Sequence, residues 1–187
     1  FPFFLAERFC KIFLANVDHY RKQHRFQLVG YVIMPDHVHL LLGSTEKLTI
    51  SKTMQLIKYH AAKEIVEVLP TSPSWKELGI VFTPAQIERA SKTTGARCLN
   101  DLRAPRLQMF AAKRQPSKRA NHAIWQESFY DFNVYTEKKL NQKLDYIHHN
   151  PVRWQLVESP DEYGFSSWRN YWGGGKIEIE LDAFWNE

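Results

Sequence analysis

Two histidines that flank a valine, His37 and His39, are the side chains in this sequence with the clearest capacity for chemistry. They lie in the stretch IMPDHVHLLL, whose later part predicts a β-strand. Side chains alternate across a strand, so both imidazoles are expected on one face. Two neutral imidazoles on one face can bind a single divalent ion. An ordinary pair of surface or core histidines is the alternative.

A second group of polar side chains falls on one flank of a predicted helix near residue 146. Tyr146 and Asn150 are four residues apart, which places them one turn apart on the same side. Lys139 and Lys143 share that flank, beside an apolar stripe. A phenol, an amide oxygen and two ammonium groups together suit a phosphate substrate. The alternative is a plain helix end, with a half-buried tyrosine and an asparagine before Pro151.

Hydrophobic periodicity predicts the elements that must position these residues. They are a helix at 4–23, a hairpin of strands at 26–34 and 37–43, a helix at 49–69, a strand at 129–135 and a helix at 136–150 that Pro151 ends. A loop-rich tail at 152–187 would carry a short strand at 176–181. The order predicts an α+β fold, a ferredoxin-like sandwich with an antiparallel sheet. Its first strand would precede Phe1, so the chain is expected to be truncated there.

Composition places the chain among globular proteins, with one domain expected over 1–187. Of its 187 residues 44% are hydrophobic, which excludes a disordered chain, and no apolar run approaches the roughly 18 residues of a membrane helix. Two cysteines without a C-x-x-C pair fit reduced thiols in the cytoplasm.

The positive charge of the chain is concentrated in residues 70–121, which are predicted to be an insertion. This segment carries ten Lys/Arg and three Asp/Glu, a charge of +7, whereas the whole chain carries +5. A basic segment on a near-neutral body indicates a polyanion partner such as nucleic acid. A solvated, flexible loop is the alternative.

Three stretches in order resemble a known family. They are MPDHVHLLL (34–42), WQESFYDF (125–132) and DYIHHNPVRWQLVESPDEYGFSSWRNY (145–171). Together they resemble the REP-associated tyrosine transposases, which belong to the single-tyrosine HUH transposases. The most specific of them is YIHHNPV at 146–152.

The resemblance implies a metal-dependent enzyme that nicks and rejoins single-stranded or hairpin DNA, typically at a repetitive extragenic palindrome. Tyr146 would be the nucleophile and form a 5′-phosphotyrosine link that leaves a free 3′-hydroxyl. His37, His39 and Asn150 would bind Mg²⁺ or Mn²⁺. Further contacts with DNA are expected from basic side chains, namely Lys139, Lys143, Lys52, Lys58 and Arg153.

Other functions stay open at this point. A DNA-hairpin-binding remnant that has lost cleavage is one alternative, and a metal-binding hydrolase without a covalent step is another. The chain is expected in the cytoplasm, at the nucleoid and not in a membrane, as a monomer or a homodimer.

Three further residues have more than one interpretation. Asp36 either shapes the turn before the strand or accepts a hydrogen bond from His37 and so orients a metal ligand. Tyr130 and Tyr135 are rival nucleophiles by residue type, but aromatic residues in a predicted strand more often pack in a sheet.

Overall fold

The computed structural model describes residues 3–43, 48–68, 125 and 132–183. Its helices and strands are α1 (Glu7–His24), β1 (Leu28–Ile33), β2 (Val38–Leu42), α2 (Ile50–Val68), α3 (Glu137–His148), α4 (Asn150–Arg153) and α5 (Trp168–Trp172). The predicted α+β class with an antiparallel sheet is confirmed. The basic insertion at 70–121 lies outside the described residues, as do residues 129–131 of the predicted third strand.

The hairpin of β1 and β2 is the centre of the described structure. The strands pair antiparallel, with Val32 opposite His39. The Met34 N–H donates to the His37 carbonyl at 2.8 Å, which closes the predicted turn at Pro35-Asp36. Every residue of β1 is buried whereas β2 is half-buried throughout, so β1 is the inner strand.

The tail covers the other edge of β1. Ser166 forms an isolated antiparallel bridge with Val32, and the Ile33 N–H donates to the Phe165 carbonyl at 2.9 Å. The Ser167 N–H donates to the Tyr31 carbonyl, also at 2.9 Å. This short segment therefore takes the place that a further strand would have beside β1.

The strand predicted at 176–181 is absent, so that prediction was wrong. The alternation of its residues is real, and Ile179 is buried. Its carbonyl, however, accepts a hydrogen bond from the Asn170 side chain at 2.9 Å instead of from a neighbouring strand. The tail next meets β1 at Asp182, whose N–H donates to the Leu28 carbonyl at 2.9 Å. Isolated hydrogen bonds at Ile179 and Asp182 therefore take the place of the regular pairing between two strands.

The helices α1 and α2 lie within the predicted ranges to within a few residues and pack on each other. α1 buries the apolar side chains that recur at helical spacing and ends at Arg25, whose φ of 55° is the left-handed geometry of a helix C-terminus. The Asn16 side chain of α1 donates to the Glu64 carboxylate of α2 at 3.1 Å.

α3 begins as predicted and is followed by an unpredicted helix. The Thr136 hydroxyl accepts from the Lys139 N–H at 3.2 Å, as expected of an N-cap. Residues 132–135, predicted as the end of a strand, have no regular structure, and Phe132 and Tyr135 are exposed. The prediction that Pro151 only ends a helix was wrong. α4 starts immediately after α3 and holds Pro151 in its first turn, where a missing N–H costs no hydrogen bond.

Candidate active site

The two histidines of the H-x-H triplet lie side by side at the start of β2. His37 immediately precedes the strand and His39 is its second residue. Their ring centres are 4.9 Å apart and nearly perpendicular. Trp154, which follows α4, packs against the outer histidine, with 5.2 Å between its ring centre and that of His37.

Asp36 orients the His37 ring. The His37 Nδ1 lies 2.7 Å from the Asp36 Oδ1, a hydrogen-bonding distance. Burial would raise the pKa of the Asp36 carboxyl, but the hydrogen bond and charge of His37 outweigh burial and hold the pKa below its usual value. An ionised Asp36 accepts a hydrogen bond from the Nδ1–H, which would place the lone pair of a neutral His37 on Nε2.

His39 is a neutral imidazole. Burial, helped by the charges of His37 and Lys143, lowers its pKa to about 4. Its Nε2 is buried and has no hydrogen-bond partner. A buried polar atom without a partner costs free energy, so such an atom calls for an explanation, and an absent ligand is one.

Tyr146 reaches the histidines because α3 packs closely on β1. A Cβ at Gly30 would lie 2.7 Å from Leu144 and 3.3 Å from Ile147, so only a glycine leaves room for the buried stripe of the helix. On the flank of that stripe, the Tyr146 ring centre lies 5.7 Å from that of His39. The Tyr146 side chain stays 43% exposed, which leaves it accessible to a substrate.

Cationic side chains surround the Tyr146 ring. The Arg153 guanidinium lies 5.0 Å from the ring centre, and the Lys143 ammonium lies 5.9 Å from it. Lys143 also lies 4.3 Å from the ring centre of Phe132, and Lys139 lies 5.4 Å from that ring. Three of the basic residues expected to contact DNA are therefore gathered near the candidate nucleophile.

Asn150 is buried at the first position of α4, one turn beyond Tyr146 in the chain. Its Nδ2 is buried and has no hydrogen-bond partner. His39 Nε2 shares this feature, as do five other buried polar atoms of the described residues. Because Nδ2 is a hydrogen-bond donor, Asn150 could bind a cation only through its Oδ1.

Lys52 and Lys58 lie on α2 and have other contacts. The Lys52 ammonium donates to the Gln55 side chain at 3.3 Å. The Lys58 ammonium lies 5.8 Å from the ring centre of Trp125, and burial lowers its pKa. Their roles in DNA binding stay predictions that rest on the sequence.

Sequence reasoning missed two aromatic residues of the site, Phe132 and Trp154. The sequence pattern predicts a strand at Phe132 and assigns Trp154 no place in the site. Nothing in the local pattern signals either contact, because each joins residues of different elements.

His148 anchors the opposite flank of α3. Its Nε2 lies 2.7 Å from the Ser167 hydroxyl, which also accepts from the Tyr31 N–H at 2.9 Å. Burial lowers the pKa of His148 to about 4, so this ring is neutral. The contact joins α3 to the tail segment beside β1, which gives His148 a structural role.

The donor atoms fit a divalent ion. In the described part of the chain no group of three or more His, Cys, Asp and Glu side chains could hold a metal. The expected set is instead two imidazoles and an amide. His39 offers a neutral ring with an unpartnered nitrogen, and Asp36 accepts from His37 Nδ1, so that Nε2 could bind an ion. Asn150 would bind an ion through Oδ1, whereas its unsatisfied atom is Nδ2, a hydrogen-bond donor. An absent divalent ion would account for the unpartnered nitrogen of His39.

The chain is similar to known transposases in part of its length. The family model described as "Transposase IS200 like" matches residues 5–83, which include the H-x-H triplet. The resemblance to transposases stated from the motifs is thereby confirmed.

A particular relative extends the similarity to a larger part of the chain. A protein of Haemophilus influenzae (strain ATCC 51907 / DSM 11121 / KW20 / Rd), named "Putative REP-associated tyrosine transposase", is 25% identical over 146 residues. The alignment covers 78% of this chain and 61% of the relative, so the chain spans less than two thirds of that protein's length.

No solved structure matches the chain. Among the described residues, no helix is long and apolar enough to span a membrane.

Proposed function

We propose that the protein is a metal-dependent tyrosine transposase that nicks and rejoins single-stranded or hairpin DNA through a 5′-phosphotyrosine intermediate. One observation carries the proposal. An accessible tyrosine lies beside a histidine whose Nε2 is buried and unpartnered, with an arginine and a lysine near the tyrosine ring. The similarity to IS200-like transposases supports the same class of reaction.

The Tyr146 oxygen would perform the covalent step. It attacks the scissile phosphorus and loses its proton to solvent or a nearby base, while the bond from phosphorus to the 3′-oxygen breaks. The products are a tyrosine ester of the 5′-phosphate and a free 3′-hydroxyl. Attack by a 3′-hydroxyl reverses the step, because the ester retains the energy of the broken bond.

Arg153 and Lys143 would bind the phosphate on either side of the reacting oxygen. Their positive charges stabilise the negative charge that develops on phosphorus-bound oxygens in the transition state. They also favour the ionised phenol over the neutral phenol, which is a weak nucleophile. Lys139, Lys52 and Lys58 are the further DNA contacts of the proposal.

The divalent ion, Mg²⁺ or Mn²⁺, would be held by His37, His39 and Asn150. When bound, it supplies a Lewis acid that polarises the scissile phosphate and holds it in orientation. Two features would favour the metal-binding forms of the histidines. Asp36 sets the tautomer of His37, and burial keeps His39 neutral. The protein would act on chromosomal DNA in the cytoplasm, as a monomer or a homodimer.

The test is covalent capture of labelled DNA. Wild-type protein is incubated with a labelled single-stranded DNA hairpin and Mn²⁺ and is compared with Tyr146→Phe and, as a matched control, Tyr135→Phe. Tyr135 lies in the segment before α3 and is 81% exposed, so its hydroxyl is accessible but distant in sequence from the site. We expect an adduct that survives a denaturing gel in wild type and Tyr135→Phe, and none in Tyr146→Phe.

The alternatives give different outcomes. Hairpin binding without an adduct in any variant would mean a binding remnant. Cleavage that persists in Tyr146→Phe would mean a hydrolase that uses metal-activated water. An adduct absent from Tyr135→Phe alone would move the nucleophile to that residue.

A further inference from the structure

Aromatic rings and cations alternate along one flank of α3 and α4. We call this set the ring–cation row; it consists of Lys139, Phe132, Lys143, Tyr146 and Arg153. Lys143 lies over both rings, so one side chain separates Phe132 from Tyr146. The row therefore continues from the candidate nucleophile to Phe132, a residue that the proposed reaction does not use.

Phe132 lies in an exposed position that does not suit a packing residue. Its side chain is 47% exposed, at the first described residue of the irregular segment before α3. Two ammonium groups lie 4.3 and 5.4 Å from its ring centre and leave the ring exposed. An apolar ring kept at the surface forgoes the stabilisation that burial would provide.

The composition of the row matches the physical requirements of single-stranded nucleic acid. Such strands bind where cations follow the phosphates and aromatic rings stack on successive bases. A base inside a duplex is covered on both faces by its neighbours, so a protein ring can stack only on an unpaired base. A row with this composition would thus favour an unpaired strand over a duplex.

We propose that Phe132 stacks on an unpaired base close to the scissile phosphate, while Lys139 and Lys143 bind the phosphates that flank this base. This inference rests on the proposed function and adds a residue that selects single-stranded substrate. Phe132 is a recognition residue here, and Tyr146 alone carries the covalent step.

The experiment pairs a protein change with a DNA change. The probe is a labelled DNA hairpin with an unpaired tail of thymidines, in which single abasic sites are placed one position at a time. Affinities of the full chain are measured by fluorescence anisotropy, in EDTA so that cleavage does not interfere. The variants are Phe132→Ala, Phe132→Trp and the control Tyr135→Ala, which removes a more exposed ring that lies three residues further along.

We expect one or two tail positions at which an abasic site weakens wild-type binding by about tenfold. Phe132→Ala should bind the intact tail about tenfold more weakly and become insensitive to abasic sites at those positions. Phe132→Trp should keep both the affinity and the sensitivity, and Tyr135→Ala should resemble wild type.

Several results would overturn the inference. They are wild-type affinity in Phe132→Ala, abasic sensitivity that persists in this variant, and the absence of any sensitive position in wild type. If Phe132→Ala has a lowered melting temperature, Phe132→Leu retains apolar volume without an aromatic face, and it should show the same loss of sensitivity. Binding that shows this coupling while wild type forms no Tyr146 adduct would contradict the proposed function and retain the role of Phe132.

Discussion

At the scale of single residues, the surroundings of each imidazole decide its hydrogen bonding or its charge. The Asp36 carboxylate accepts a hydrogen bond from His37 Nδ1, and burial of the His39 ring lowers its pKa so that it is neutral. A carboxylate on the far nitrogen is common in metal-ligating histidines, and a neutral imidazole can bind a metal ion. The proposed function therefore gives Asp36 a second role besides the turn-forming role that its position before the strand suggests.

Asp36→Asn separates its two roles. Asparagine also favours turns, so the hairpin should keep its stability, but a neutral amide is a weaker acceptor for the His37 N–H. We expect the Mn²⁺ concentration for half-maximal adduct formation to rise about 10- to 100-fold. Titration of Mn²⁺ at saturating DNA measures this, and urea unfolding monitors the fold. An unchanged metal requirement would leave Asp36 with its turn role alone.

At the scale of elements, the approach of α3 to β1 decides where Tyr146 lies. Gly30 and the buried stripe of α3 set this approach, and the contact from His148 to Ser167 secures the opposite flank. A helix displaced from the sheet would carry Tyr146 away from His39 without any change in the site residues themselves.

Gly30→Ala tests this dependence. The added Cβ would lie 2.7 Å from the buried Leu144 side chain, so the helix or the side chain must move. We expect the free energy of unfolding to fall by about 1–3 kcal/mol, the usual cost of overpacking, and adduct formation to fall with it. Urea denaturation gives the first quantity. A second change, Leu144→Ala, creates space for the new methyl group, and the double variant should be more stable than the sum of the two single effects predicts. Strict additivity would contradict a steric cause.

At the scale of the whole molecule, a chain of charge +5 attracts polyanions in general. General attraction does not specify where a strand lies on the protein, whereas the proposed role of the ring–cation row pairs particular cations with particular phosphates. The contribution of each cation should therefore be visible in the dependence of binding on salt.

Replacement of single lysines makes this measurable. For single-stranded DNA, the slope of log affinity against log salt changes by about 0.7 for each phosphate that the protein no longer neutralises. We expect Lys139→Gln and Lys143→Gln each to reduce the slope by about this amount. Lys138→Gln, at an exposed neighbour on another face of α3, should leave it nearly unchanged. Binding isotherms at several salt concentrations check this, and equal effects at all three positions would indicate a diffuse attraction.

The amino-acid sequence by itself determined the features that depend on short-range patterns. The helices at α1, α2 and α3, the hairpin, the turn before His37 and the Thr136 cap all follow from periodicity and local hydrogen bonding. The candidate residues His37, His39, Tyr146 and Asn150 came from spacing and from the resemblance to transposases. The strands predicted at 132–135 and 176–181 were wrong. Apolar and polar residues alternate there, but among the described residues no neighbouring strand is present to pair with them.

Only the tertiary structure decided how these elements meet. It placed Ser166 rather than residues 176–181 beside Val32 and brought the Tyr146 ring to His39. It also brought Lys143 and Arg153 to the ring of the candidate nucleophile, and Phe132 to Lys143. Such contacts join residues far apart in the chain, and their geometry depends on the close approach of α3 to Gly30. No local pattern encodes that distance, because it results from the packing of many side chains at once.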